Sequence, residues 1–198
     1  MNPQIDIRVA LPKDHRYADI ISQWYVQSSK ERGTGIAQRT PAYLREKISS
    51  GNAIIAFVKE ELAGFCYVEV FSSGDYVSNS GLIVHHDFRG RGLAKAIKGV
   101  AFNHARDTYP EAKVFGITTS EIVMNINSDL GYRPVSFRQL TDDEEFWKGC
   151  NSCSNYDILL RNDKQMCLCT AMLAPSKASS MKVDLEEFIL QLNSKTTL

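Results

Sequence analysis

The chain has 198 residues, 43% of them hydrophobic, and its 23 Lys and Arg balance its 23 Asp and Glu, so the formal net charge is zero. A neutral chain lacks the basic surface that a phosphate backbone requires, which argues against nucleic acid as a partner. No apolar run approaches the roughly 20 residues of a membrane span, and the N-terminus lacks the features of a signal peptide. We therefore expect a cytoplasmic protein with no membrane partner and mostly reduced cysteines.

The first elements alternate between strand and helix. Residues 5–11 alternate apolar and polar side chains, as a strand does, and Asp14 can cap a helix. Residues 32–39 break that helix, and Thr40-Pro41 is typical of the N-cap and first turn of a second helix. The apolar face of the first helix would be formed by Tyr17, Ile20, Ile21, Trp24 and Tyr25.

Strands dominate the middle of the chain. Residues 53–58 and 62–71 predict a hairpin, and residues 76–84 predict the next strand. A helix should then run to about Tyr109-Pro110. The remaining predicted elements are a strand over 114–118, a helix from the cap Ser120 to Gly131, and a strand over 133–137.

The loop between the strand over 76–84 and the following helix is the most informative stretch. A strand that leads through glycines into a helix N-terminus forms an anion site, since backbone N–H groups and the helix dipole converge there. The spacing is neither a P-loop nor Gly-x-Gly-x-x-Gly, because no third glycine follows. The residues expected at the anion are Arg89, Gly90, Arg91, Gly92, Leu93, Ala94 and Lys95.

Arg89, Gly92 and Ala94 match Arg-x-x-Gly-x-Ala, which resembles the pyrophosphate-binding motif of the GNAT acetyltransferase superfamily. The alternative is an ordinary solvated basic turn. The order of predicted elements over about residues 4–138, with a strand at 156–160, also resembles the GNAT fold. This resemblance implies an α/β (α+β) fold, with a mixed, mostly antiparallel twisted sheet, flanking helices and two splayed central strands.

The resemblance implies acetyl-CoA as co-substrate. Its pantetheine arm would pair with the backbone of Leu82, Ile83 and Val84, in the gap between the splayed strands. GNAT enzymes use direct attack by the acceptor amine, and the Val84 N–H is the expected donor to the thioester carbonyl.

The chain departs from the family pattern at the residue that protonates the departing thiolate. The family tyrosine lies four residues before a Gly-Phe pair, which is Gly131-Tyr132 here, so Asn127 takes its place. A family asparagine that contacts pantetheine falls at Ser120. Water, Ser120 or Asn125 could supply the proton, or the thiolate could leave unassisted. Asn125 is also expected to contact the co-substrate, and Tyr132 is expected in the core.

Glu69 is the predicted general base, because it lies in a strand that is otherwise almost free of charge. The alternative is a solvent-facing glutamate on an antiparallel strand, which alternation permits. Asp75 is a weaker candidate. Ser80 lies in a polar interruption of the next strand, near the expected acceptor site.

The segment between the first two helices forms one wall of the acceptor site in GNAT enzymes. Here it contains Arg32, Thr34 and Arg39. Arginine can bind a carboxylate with two parallel hydrogen bonds, which favours an acidic small molecule as acceptor. A flexible polar loop is the alternative.

His85, His86 and Asp87 have the composition of a metal or catalytic cluster. Neighbouring residues on a strand point to opposite faces, so we expect a surface role for them.

The C-terminal region contains Cys150, Cys153, Cys167 and Cys169, arranged as Cys-x-x-Cys and Cys-x-Cys. A hairpin between 156 and 172 could bring both pairs together as a structural zinc site. Buried free cysteines are the alternative, and Cys66 is expected in the core.

These patterns divide the chain into a domain over 1–173, a linker over 174–183 and an amphipathic helix over 184–196. The domain would consist of the core at 4–138 and a Cys-rich hairpin at 141–173. The apolar stripe of the last helix would dock on its own domain or on a second subunit, so a homodimer is possible.

The tail and residues 32–37 resemble a stand-alone GNAT subgroup associated with arginine biosynthesis, similar to N-acetylglutamate synthase. This implies transfer of an acetyl group to the amino group of an amino acid such as glutamate. Two alternatives stay open: acetylation of a protein, polyamine or antibiotic amine, and a regulatory module that binds acetyl-CoA without turnover.

Overall fold

A computed structural model describes residues 5–32 and 37–180, and within those ranges one seven-stranded sheet is flanked by helices. The strands are β1 (Ile5–Val9), β2 (Ala53–Val58), β3 (Glu61–Phe71), β4 (Tyr76–Val84), β5 (Lys113–Thr118), β6 (Arg133–Val135) and β7 (Thr170–Ala174). The helices are α1 (Ala18–Arg32), α2 (Pro41–Ser49), α3 (Leu93–Thr108), α4 (Glu121–Asp129), α5 (Glu144–Lys148) and α6 (Tyr156–Arg161). None of the helices in these ranges is both long and apolar enough to cross a lipid bilayer.

The strand order is β1-β2-β3-β4-β5-β7-β6, and β4 with β5 is the one parallel pair among them. That pair is joined through α3, because parallel neighbours need a long crossover. The predicted mixed, mostly antiparallel sheet with flanking helices is confirmed.

The two central strands separate after three paired positions. Pairing of β4 with β5 runs from Tyr76 opposite Lys113 to Ser78 opposite Phe115 and stops there. The rest of β4 stays paired with β3 alone. The predicted splay is therefore present, and it opens a gap between residues 79–84 and residues 116–118.

Three apolar cores pack against the sheet, and alternation along β3 assigns residues 65–68 to two of them. Phe65 and Tyr67 pack with α1 and α2 on one face. Cys66 and Val68 pack with α3 on the other. Tyr132 lies in the α3 core, as predicted.

Two predicted helix caps are confirmed and one is wrong. The Thr40 hydroxyl accepts the Tyr43 N–H at 3.2 Å, and the Ser120 hydroxyl accepts the Val123 N–H at 3.4 Å. Asp14 lies instead inside a 3₁₀ turn that precedes α1, and its carboxylate reaches back to the Leu11 N–H at 2.7 Å. Helix α1 begins four residues later than Asp14.

The C-terminal region does not form the hairpin predicted over residues 141–173. Residues 156–160, predicted as a strand, belong to α6, and the strand that joins the sheet is β7, which lies between β5 and β6. A short apolar run such as Ile158-Leu159-Leu160 fits a strand and a short helix equally well, so periodicity alone could not decide.

The region after β7 is described only as far as Ser180. Residues 177–180 form a helical turn, in which the Ala178 N–H donates to the Pro110 carbonyl at 3.1 Å. The end of the predicted linker and the predicted helix over 184–196 lie outside the described residues.

Candidate active site

The loop between β4 and α3 has the backbone shape expected of an anion site. Gly90 and Gly92 adopt left-handed φ angles of 74° and 79°, and Gly92 is the N-cap of α3. The first N–H groups of a helix have no partner within the helix, so this end of α3 can bind an anion. Arg91 and Lys95 are exposed beside it, whereas Leu93 anchors the helix in the core.

Two of the predicted phosphate-binding cations already have protein partners. Arg89 turns back, so that its Nε donates to the Val84 carbonyl at 3.0 Å. The Lys95 ammonium lies 2.7 Å from the Asp129 carboxylate of α4. Arg91 forms no ion pair within the described residues, which leaves it available to a phosphate.

The predicted pantetheine edge lies along the gap between the splayed strands. Ile83 and Val84 are buried and are opposite Phe65 and Gly64 of β3. Their other edge faces the gap, where β5 has left the ladder. Leu82, half-buried, packs against the α3 core.

A bulge interrupts β4 at Gly81, beside the start of this edge. The register with β3 shifts here, and Gly81 has a φ of 66°. A Cβ at this position would lie 2.1 Å from the Tyr67 ring, and the Tyr25 hydroxyl donates to the Gly81 carbonyl. Two tyrosines thus fix the bulge in place.

Arg39 lies against the same tyrosine. Its Nε donates to the Tyr67 hydroxyl and its Nη1 to the Gln38 carbonyl at 3.2 Å. The guanidinium is 5.9 Å from the Tyr43 ring and 5.7 Å from the Tyr67 ring. Within the described residues no carboxylate lies within 4.0 Å of it, so its remaining N–H donors can receive a ligand carboxylate.

The acceptor wall at residues 37–39 is tied to two distant parts of the chain. The Ser22 hydroxyl of α1 donates to the Arg39 carbonyl at 2.6 Å. The Gln38 N–H donates to the hydroxyl of Ser152, in the Cys-rich tail, at 2.9 Å. Thr34 and the Arg32 side chain lie outside the described residues, so their predicted roles stay predictions.

Both carboxylate oxygens of Glu69 are occupied. One lies 2.5 Å from the Lys47 ammonium, and the other accepts the Tyr43 hydroxyl at 2.9 Å. Burial alone would lower the pKa of Lys47, but Glu69 raises it above its usual value. With both oxygens held by protein donors, Glu69 differs from the free carboxylate that a general base would require, and its role as a base stays a prediction.

Ser80 lies directly opposite Tyr67 in the β3–β4 ladder and is half-buried. Its hydroxyl donates to the Ser78 hydroxyl at 3.0 Å. The fold thus brings Arg39, Ser80 and Glu69 together on the α1–α2 face of the sheet, around Tyr67.

The three candidates for thiolate protonation occupy different environments. Ser120 is half-buried at the start of α4, and Asn125 is exposed. Asn127 is buried, and its amide nitrogen lies 3.5 Å from the Met172 sulfur of β7. Asn127 therefore packs within the protein, and its Oδ1 has no hydrogen-bond partner among the residues that the structure describes.

His85, His86 and Asp87 lie closer together than strand geometry predicts. Strand β4 ends at Val84 and a 3₁₀ turn follows, so the centroids of the two imidazole rings lie 4.1 Å apart. Asp87 lies 3.1 Å from His86 and 3.5 Å from His85. The prediction that the two rings point apart is wrong, because His85 and His86 do not lie on a strand.

The four tail cysteines are half-buried and free of disulfides. Burial and the neighbouring thiols raise the pKa of Cys150 to about 11 and that of Cys169 to about 12. Among the described residues, three metal-ligating side chains approach within 4.8 Å of one another at His85, His86 and Asp87, and not at these cysteines. The two cysteine pairs thus share one region without forming a closed ligand set.

The sequence of residues 18–120 matches the acetyltransferase (GNAT) family. The match covers more than half of the chain, and the glycine turn, the splayed strands and the bulged β4 agree with it. The chain belongs to the acetyltransferase (GNAT) family, and it is an acyltransferase. No curated protein matches it.

Solved structures support the fold. N-acetylglutamate synthase from Neisseria gonorrhoeae, in complex with coenzyme A and N-acetyl-glutamate, aligns with a TM-score of 0.62 at 15% identity, over 89% of this chain and 36% of that one. Rv2747 from Mycobacterium tuberculosis, in complex with CoA and a second ligand, aligns with a TM-score of 0.62 at 18% identity, over 86% and 98%. A phosphinothricin acetyltransferase from Sinorhizobium meliloti, in complex with AcCoA, aligns with a TM-score of 0.58 at 15% identity, over 87% and 88%.

The site contains side chains that the sequence did not single out. Tyr25, Tyr43, Lys47 and Tyr67 all touch a predicted site residue or the bulge. Two signals were available: Tyr67 lies two positions before Glu69 on the same strand, and Tyr43 and Lys47 lie four apart on α2. The sequence alone does not show that these side chains face the proposed acceptor site, because their orientation depends on long-range packing.

Proposed function

We propose that the chain transfers the acetyl group of acetyl-CoA to the amino group of a small acceptor that carries a carboxylate, with glutamate as the first candidate. Arg39 supports this most directly. It is a half-buried cation without a carboxylate partner in the described residues, and it lies beside the bulge of β4. A fixed guanidinium in that setting is a receptor for a carboxylate.

The co-substrate would lie along the loop and the gap. The α3 N-terminus, Arg91 and the glycine turn would hold its diphosphate, and the free edge of β4 would pair with its pantetheine arm. This places the thioester near the bulge at Gly81. Coenzyme A in two of the solved structures, and acetyl-CoA in a third, support this assignment.

The reaction would be a direct attack. The neutral amine nitrogen forms a bond to the thioester carbon, the carbon–sulfur bond breaks, and coenzyme A leaves as a thiolate. A backbone N–H of β4 that faces the gap beside the bulge would stabilise the oxyanion, since a preorganised donor is most effective where charge develops. Val84, the donor predicted from the sequence, lies about 10 Å along β4 from Gly81.

The acceptor nitrogen loses two protons, one from the ammonium before attack and one after the carbon–nitrogen bond has formed. The thiolate takes up one proton, so one proton is released to solvent in each turnover. Glu69 would attract the ammonium of the acceptor, and the ammonium would pass a proton to water at the site. Asn127 is too buried to reach the thiolate, so water or the Ser120 hydroxyl would protonate it.

The acceptor would bind as a zwitterion. Arg39 and Glu69 both contact the aromatic pair Tyr43 and Tyr67, whose ring centroids are 5.6 Å apart. A carboxylate directed to Arg39 and an ammonium directed to Glu69 match that charge order. An α-amino acid carries both groups on one carbon.

Arg39→Ala tests the proposal, with release of coenzyme A from acetyl-CoA and glutamate as the readout. Losing one partner of a desolvated charge pair costs about 2 kcal/mol or more, so kcat/KM for glutamate should fall by about 30-fold or more. Arg45→Ala is the control, because Arg45 pairs with Asp19 on the surface. Equal kcat/KM values in the two variants would show that Arg39 does not bind the acceptor.

The finer predictions for the rest of the chain stay predictions. They are a structural zinc at the four tail cysteines, a homodimer, a cytoplasmic location and a role in amino-acid biosynthesis. Zinc would require the two cysteine pairs to approach more closely than they do here.

A further inference from the structure

The gap between β4 and β5 requires an interaction that stops the two strands from pairing. Asn79 is the first residue of β4 beyond the last paired position. Its carbonyl still points toward β5, since a Cβ on Gly116 would lie 3.4 Å from the Asn79 oxygen. A backbone carbonyl at this position would ordinarily continue the ladder.

Lys98 of α3 is the hydrogen-bond donor to that carbonyl. The Lys98 side chain is 2% exposed, and its Nζ donates to the Asn79 oxygen at 3.2 Å. No carboxylate lies within 4.0 Å of Nζ among the described residues, and the nearest aromatic ring in contact is that of Tyr132, at 5.9 Å. The amine therefore has the Asn79 carbonyl as its polar partner there.

The Asn79 side chain is held by the same neighbours. Its Oδ1 accepts the Cys66 thiol at 3.1 Å, and its Nδ2 lies 3.5 Å from the Lys98 carbonyl. Asn79 is thus fixed on both its backbone and its side chain, from β3 on one side and from α3 on the other.

We propose that Lys98 is a positioning residue that keeps the acetyl-CoA cleft open by occupying the Asn79 carbonyl, which would otherwise accept a backbone N–H of β5. The inference rests on the proposed function, because it assigns a role to the gap in which acetyl-CoA would bind. Lys98 lies in α3, whose N-terminus would hold the diphosphate, so one helix would both bind the co-substrate and shape its cleft.

A buried lysine without a carboxylate partner lowers stability, and an apolar side chain of similar length would fit the same space at less cost. Burial lowers the pKa of Lys98, in agreement with this. Side chains that lower stability are frequent where function requires a particular geometry.

Lys98→Met separates this role from a merely structural one. The variant should melt at the same temperature as the parent protein or higher, because the buried amine is gone. Its dissociation constant for acetyl-CoA should rise about fivefold, the equivalent of one net hydrogen bond. Amide protons of residues 116–118 should also exchange more slowly with solvent in the absence of ligand, because the ladder extends.

Lys113→Met is the matched control, since it makes the same change at the closed end of the gap, where Lys113 is exposed. Lys98→Gln retains a donor and should bind acetyl-CoA more tightly than Lys98→Met. Affinity for acetyl-CoA equal to that of the parent in Lys98→Met would overturn the inference, as would a failure of that variant to fold. Absence of acetyl-CoA binding in the parent protein would instead count against the proposed function.

Discussion

At the scale of single residues, the proposed site depends on the polar partners of two charged side chains, Arg39 and Glu69. Arg39 has no carboxylate within reach in the described residues, whereas Glu69 has two donors. These contacts bear on the roles predicted for the two residues. We keep Arg39 as the proposed acceptor-binding residue, and we propose that Glu69 attracts the ammonium of the acceptor and does not act as a free general base.

Gly81→Ala tests the bulge. A methyl group there would meet the Tyr67 ring, and the left-handed φ adds strain, so the free energy of unfolding should fall by about 3 kcal/mol. Gly51→Ala is the control, because Gly51 also has a left-handed φ but open space around its Cβ, and it should cost about 1 kcal/mol. Urea titration measures both, and equal losses would show that contact with Tyr67 does not fix the bulge.

At the scale of elements, sequence patterns located most of the sheet and the helices that flank it. Alternation and turn residues marked β2, β3 and β4 within one residue of their ends. They did not resolve the tail, where Tyr156–Arg161 is a helix, because six residues give too little periodicity to separate the two structures. The contact of Arg39 with Tyr67 was not predictable either, because these residues lie 28 positions apart and meet only through tertiary packing.

The turn before α1 gives a prediction about pH. Burial would raise the pKa of Asp14, but the Arg8 guanidinium and the Leu11 N–H hold it below its usual value. A carboxyl whose pKa is lower in the folded state stabilises the protein above the pKa of the unfolded chain, and this stabilisation is lost as pH falls through the folded pKa.

Asp14→Asn should therefore lower the free energy of unfolding at pH 7 by about 2 kcal/mol. The difference from the parent protein should shrink as pH falls below about 4. Asp6→Asn is the control, since Asp6 is more exposed and contacts the same arginine at 3.3 Å. A difference between Asp14→Asn and parent that stays constant from pH 7 to pH 3 would contradict the assignment.

At the scale of the whole molecule, the C-terminal region contacts the segment that we propose as the acceptor wall. Strand β7 lies between β5 and β6, and the Ser152 hydroxyl accepts the Gln38 N–H. The tail therefore packs against the proposed site instead of lying apart from it. The sequence placed cysteines in this region but gave no signal for the contact with residue 38.

Ser152→Ala should loosen the wall without disturbing the acetyl-CoA cleft. Loss of one net hydrogen bond, about 1 kcal/mol, predicts a KM for the acceptor about fivefold higher, with the KM for acetyl-CoA unchanged. Ser154→Ala is the control, because Ser154 is exposed and makes no hydrogen bond within the described residues. Steady-state kinetics with each substrate varied in turn would show whether the effect is confined to the acceptor.

The central claim is that the acceptor of this acetyltransferase is recognised by its carboxylate. The most direct test measures kcat/KM of the parent protein for glutamate, glutamine, isoglutamine and putrescine, at saturating acetyl-CoA. We predict turnover of the acceptors that carry a carboxylate, with glutamate highest, and negligible turnover of putrescine, which has none. A higher kcat/KM for putrescine than for glutamate would contradict the claim and leave only the assignment to the acetyltransferase family.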